Sequence, residues 1–118
     1  MLLLFHGTFA RALVLYLAAV GVWGILAWRR GEGVSPSLRG AVAIAWVTGI
    51  IQGAVGAVLA VSAAPRDPLH ILYGVAIAVA LPAGFLYARD RTPARQSLVL
   101  GLVALFTSGL AIRGIMTA

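Results

Sequence analysis

The chain has no cysteine. That excludes disulfides, thiolate metal sites and covalent attachment of a prosthetic group through a C-x-x-C-H motif. Acidic residues are nearly absent: only Glu32, Asp67 and Asp90 occur, and all three fall outside the long apolar runs. A proton-coupled transporter generally needs an ionisable carboxylate within the bilayer, so that class is disfavoured. No Ser/His/Asp set, phosphate-binding loop or zinc motif is present, and independent catalysis has no visible machinery. The positive charge comes from arginine alone, with a formal net charge of +6. These arginines cap apolar segments and form no continuous basic face, which argues against nucleic acid as a partner.

What remains is a hydrophobic chain. Of its 118 residues 62% are hydrophobic and 10% charged, and the mean hydropathy is +1.03. A soluble domain of this size could not hide so much apolar surface. A spanning helix needs roughly 20 apolar residues, and four such runs are present, at about Leu2–Trp28, Gly40–Ser62, Pro68–Ala88 and Gln96–Ile115. The connections are short, which predicts antiparallel neighbours. The expected fold is all-α: an integral-membrane, antiparallel up-down four-helix bundle forming one domain over residues 1–118. The first run is longer than a signal-peptide core and has no basic leader, so it reads as a retained helix.

Arginine placement predicts topology. Arg29, Arg30 and Arg39 flank the first connection, and Arg89, Arg91 and Arg95 lie in the third. The second has Arg66 opposed by Asp67. Positive loops stay in the cytoplasm. Both termini are then expected on the outer, periplasmic side of the cytoplasmic membrane, with Trp28 and Tyr87 as aromatic anchors at the inner interface.

His6 and His70 are the only histidines. Each lies near the start of its run, the first and the third. Asp67–Pro68 is a helix-start signal just ahead of His70. Two parallel helices entered at equal distances put both imidazoles at equal depth, on diagonal members of the bundle. A polar side chain in lipid is costly and usually functional. Two imidazoles facing across a gap suit the two axial positions of one haem iron, and the ordinary alternative is a pair of headgroup-facing or hydrogen-bonded histidines. Arg11, Arg66 and Arg113 are on the side that the arginine distribution otherwise leaves poor in charge. A buried arginine costs about 3 kcal/mol at a helix centre. An anion would offset this cost: haem propionates, a lipid phosphate, a quinone-like head or a partner's carboxylate. Snorkelling to headgroups is the simpler account.

In the second run, Gly49 and Gly53 share one face and allow close approach of a helix or of a porphyrin edge. Gln52 lies between them near mid-membrane and is expected to bond to a neighbouring helix. Gly74, one turn after His70, clears space beside its ring. Tyr16 and Tyr73 either donate to a cofactor or pack. Pro82 is expected to kink the third helix.

The stretch Thr48–Ala60 (TGIIQGAVGAVLA), followed after a short connection by Leu69-His-Ile-Leu-Tyr-Gly74, resembles the second and third helices of one half of a haem A synthase. That family is built from two related four-helix bundles, each with a histidine near the outer end of its first helix and another on its third. The resemblance covers nearly the whole chain as a single half. It implies that His6 and His70 are axial ligands of one b-type haem, and that Gln52, Gly53 and Gly56 match the glycine-spaced motif of helix 2. Two positions differ from the family: Leu3 stands where the substrate-side half has a glutamate, and Gly7 where an arginine follows the first histidine. The implied role is therefore the haem-holding scaffold rather than haem A synthesis. The expectation is a small membrane cytochrome b with one haem per chain. His6 and His70 ligate the iron, Arg11, Arg66 and Arg113 face the propionates, and Gly74 gives the ring room. Its electrons would go to or come from quinol or a partner protein. The alternatives are a haem-free accessory subunit of a larger respiratory or photosynthetic membrane complex, and a quinone-binding module.

Overall fold

The structure is a computed structural model that describes residues 1–62, 64 and 67–118. Its regular elements are four helices: α1 Leu2–Arg29, α2 Pro36–Ser62, α3 Leu69–Ala88 and α4 Pro93–Met116. All four are long and apolar enough to cross a membrane. Their outward faces carry exposed Leu15, Ile44, Val58, Ile71 and Phe106. Continuous apolar surface of this kind marks contact with lipid or protein rather than water, as in a multi-pass membrane protein.

Two helices begin earlier than their apolar runs. α2 starts at Pro36 and α4 at Pro93, not near Gly40 and Gln96. In each case a hydroxyl residue precedes a proline. The Leu38 amide donates to Ser35 Oγ at 3.1 Å, an N-cap bond that satisfies one of the free first-turn donors. Proline fits the next position because no N–H is needed there and its φ is already helical. Thr92 is extended, with ψ 153°, ahead of Pro93. At α3 the Leu69 amide donates to Asp67 Oδ1 at 2.9 Å, as the Asp–Pro signal predicts. α1 is closed off just past its end by Gly31, with φ 70°. There the Gly31 amide donates to Trp28 O at 2.9 Å and the Glu32 amide to Ala27 O at 2.8 Å. This is a Schellman closure, in which glycine adopts the left-handed conformation without Cβ strain.

The closest seam joins α1 to α4. Its residues recur at alternating steps of four and three on both helices. Leu13, Leu17, Val20, Gly24 and Ala27 of α1 are buried, as are Ser97, Gly101, Ala104, Ser108 and Ala111 of α4. A 3.5-residue period keeps one stripe facing the partner along the whole length. At the crossing the backbones touch: a Cβ on Gly24 would lie 2.7 Å from Gly101 Cα and 2.9 Å from Ser97 O. Hydroxyls tie the seam, with Ser108 Oγ donating to Val14 O at 2.8 Å and Ser97 Oγ to Glu32 O at 2.8 Å. α3 lies on the other side of α4, where Gly84 lets Val103 approach. α2 packs against α1 and α3, and Tyr16 Oη donates to Ala41 O at 2.8 Å. Tyr16 therefore serves packing.

The packed core is polarised. Leu17, Leu38, Val42, Ala45, Leu81, Leu100 and Ala104 are buried toward the arginine-rich end, whereas His6, Gln52, Gly56, His70 and Gly74 at the opposite end are only half-buried. Gly49 meets Ile77 at van der Waals distance, but a Cβ on Gly53 would meet nothing. Of these two glycines only Gly49 makes the expected close approach.

Pro82 lies inside α3. Lacking an N–H, it leaves the carbonyl of Ala78, four residues earlier, without its helical donor. Trp46 of α2 supplies one: its Nε1–H donates to Ala78 O at 3.1 Å. A buried orphan carbonyl costs about 1–3 kcal/mol, and interhelical bonds in membranes average about 0.6 kcal/mol. Trp46→Phe should therefore destabilise the protein by about 1 kcal/mol, and by less in a Pro82→Ala background, where the helix recovers its own bond. A double-mutant cycle of unfolding in mixed micelles measures the coupling, and strict additivity would refute the pairing.

Candidate functional site

The structure brings the two histidines together. The ring centroids of His6 and His70 are 6.1 Å apart and the ring planes make an angle of 70°. They come from α1 and α3, which face each other across the bundle instead of sharing a seam, as expected for diagonal members. No other His, Cys, Asp or Glu joins them in a group of three or more among the described residues.

His70 is held by its neighbour helix. Its Nδ1 lies 2.7 Å from Gly114 O. A carbonyl only accepts, so Nδ1 carries the proton, and in the neutral ring Nε2 keeps its lone pair. This arrangement, in which a backbone carbonyl fixes the tautomer and leaves Nε2 as a ligand, is typical of metal-binding histidines. Thr117 Oγ1 is at 3.5 Å from the same nitrogen, but its proton goes to Arg113 O at 2.9 Å and Gly114 O at 3.2 Å.

His6 is held differently. Its ring lies on Gly56: a Cβ there would come within 3.0 Å of His6 Cε1. A side chain at position 56 would have to shift the ring by a few tenths of an ångström. Gln52, one turn earlier on α2, donates from Nε2 to His6 O at 2.7 Å. His6 Nδ1 and Gln52 Oε1 are both buried and have no hydrogen-bond partner. One is a potential donor and the other an acceptor. The sequence placed Gln52 correctly as an interhelical donor. It gave no sign that the acceptors at both histidines would be main-chain atoms, because every residue has a carbonyl.

The other expected residues are distributed unevenly. Gly74 is half-buried and a Cβ on it would meet nothing, and the same holds for exposed Gly53. Arg113 is exposed, with its guanidinium carbon 6.0 Å from the Tyr73 ring centre, three residues beyond His70. Arg11 is exposed and, at about 100° per residue, lies roughly 140° around α1 from His6. Arg66 lies outside the described residues. At the opposite end Tyr87 is exposed and carries the Arg91 guanidinium at 4.5 Å, and Trp28 is exposed too.

The ring separation is of the size that two imidazoles sharing one metal ion would have. With metal–nitrogen bonds of about 2 Å, one metal ion between two imidazole nitrogens sets the ring centres roughly 6 Å apart. The observed 6.1 Å matches. Two imidazoles alone make a poor zinc site, which takes four ligands, whereas a haem iron takes two axial ligands. No family model, curated protein or solved structure matches the chain.

Proposed function

We propose that the chain is a small membrane b-type cytochrome: an antiparallel four-helix bundle in the cytoplasmic membrane that holds one haem between His6 and His70. The observation that carries this reading is the 6.1 Å approach of the only two imidazoles, with the His70 tautomer fixed by Gly114 O. The antiparallel course is supported by pairs that join opposite helix ends, such as His6 with Gln52 and His70 with Gly114. The arginine-rich connections support an orientation with both termini outside.

His6 and His70 would supply the axial nitrogens, Gln52 and Gly56 would hold the His6 ring, and Gly53 and Gly74 would leave room beside it. Arg113 is the described arginine best supported as a propionate partner, while Arg11 is left to lipid headgroups. A haem with both axial positions filled supplies one-electron transfer rather than oxygen chemistry. Its redox partner would be quinol or another membrane protein. Leu3 and Gly7 stand where haem A synthesis would call for charged residues, so that activity is not proposed.

A reduced-minus-oxidised spectrum of the purified protein tests the reading, with pyridine haemochrome quantification. Sharp α and Soret bands at about one haem per chain are expected. A protein that stays colourless after titration with haemin would overturn it and favour a haem-free accessory subunit.

A further inference from the structure

At the end of the bundle away from the histidines, two cavities meet where α2 and α3 approach the start of α4. One, of about 160 Å³, has Arg39 and Arg89 at its rim, and no carboxylate lines it. The other, of about 220 Å³, runs past Trp46 and Pro82 and exposes no polar surface. Val42 and Phe85 belong to both, so the cavities form one groove. Its mouth is cationic and its floor apolar. Beside the groove Trp46 of α2 donates to Ala78 O of the proline-bearing α3.

We propose that this groove binds one anionic phospholipid, with the phosphate between Arg39 and Arg89 and an acyl chain along Val42, Phe85 and Trp46. Both arginines are exposed. Arg39 is in the first turn of α2, Arg89 caps α3, and Tyr87 and Trp28 lie at the same end. Guanidinium groups pair with phosphate in fixed, bidentate geometry. Basic pockets between transmembrane helices on the cytoplasmic side are where anionic headgroups are held. Gln96 contributes by shaping the mouth, because its Nε2 donates to Arg89 O at 3.3 Å and Arg91 O at 3.2 Å. A neutral quinone head would leave two like charges side by side without an anion, and free phosphate would leave the apolar floor unused. The site does not depend on the haem.

Trp46 lies in the groove and is itself the reporter. With Trp23 and Trp28 replaced by phenylalanine, the protein is placed in phosphatidylcholine nanodiscs containing phosphatidylglycerol or phosphatidylcholine with brominated chains. Brominated phosphatidylglycerol is expected to quench Trp46 at a much lower mole fraction than brominated phosphatidylcholine. Each arginine contributes about a fivefold preference. Arg39→Gln or Arg89→Gln should shift the midpoint by that factor, and the double variant should erase the preference. The Arg39→Lys/Arg89→Lys pair should keep more of it than the glutamine pair, showing that the loss follows charge and not misfolding. Equal quenching by both lipids would overturn the proposal. So would a preference that survives the double glutamine variant, or displacement of the anionic lipid by a short-chain quinone.

Discussion

Gly101→Leu should be the most damaging single substitution in this chain. A Cβ at position 101 would lie 2.8 Å from Gly21 O, 2.9 Å from Ile25 N and 3.1 Å from Gly24 C. All three are backbone atoms, so no side chain can rotate away, and the helices must separate. Separation opens the whole α1–α4 seam, including the Ser108–Val14 bond. Overpacking a tight interior costs about 1–3 kcal/mol, and Gly101→Ala already falls in that range. Leucine should exceed about 3 kcal/mol or prevent assembly. The control is on the same helix. Gly109 is exposed and a Cβ there would meet nothing. Gly109→Ala should be neutral, or stabilising by up to about 1 kcal/mol through helix propensity. Unfolding in mixed micelles measures both. Equal effects at 101 and 109 would refute the backbone contact.

The α1–α4 seam is written in two matched stripes, whereas the glycine-spaced stretch of α2 is the more conspicuous packing signal. Gly49, Gly53 and Gly56 look like a helix-packing motif, yet their neighbours are an isoleucine methyl, nothing, and the His6 ring. Small residues are common throughout membrane helices, so a stripe on one helix carries little information. What identifies the true seam is the match of two stripes. Leu13, Leu17 and Val20 are large where α4 offers Ala104, Ser108 and Ala111, and Gly24 is small where the backbones cross.

Helix starts were lost for a different reason. Hydropathy finds where the chain is apolar, and the first turn of a membrane helix sits in the polar interface. Ser35–Pro36 and Thr92–Pro93 carry the same N-cap and proline logic that located α3 at Asp67–Pro68. The four runs themselves were legible because a membrane span needs about 20 apolar residues, and so was the placing of His6 and His70 at one end of the bundle. The bonds that orient the two rings were not, since their acceptors are carbonyls of Gly114 and of His6 itself.

His70→Ala should abolish low-spin haem without unfolding the bundle. The side chain is half-buried at the loosely packed end, far from the buried core around Leu17, Leu38 and Ala45. Removing it does not orphan its acceptor either, because Gly114 O keeps the Thr117 hydroxyl at 3.2 Å. The structural cost should stay below about 1 kcal/mol, the range for a single replaced hydrogen bond. The cost to a metal would be far larger. Even loss of a group that only hydrogen-bonds to a metal ligand lowers affinity or activity by about 10–100-fold, and loss of a ligating nitrogen should lower it further. His6→Ala should do the same, while leaving Gln52 Nε2 bonded to the backbone oxygen at position 6. Titration with haemin, read in the Soret and α bands, measures the loss, and thermal unfolding in detergent measures the structural cost. Imidazole added to either variant should restore a low-spin spectrum by occupying the space of the lost ring. These two readouts move oppositely under the two accounts of the pair. Axial ligands lose haem and keep stability. A hydrogen-bonded structural pair would lose stability and leave any haem spectrum unchanged, and that outcome would remove His6 and His70 from the functional site.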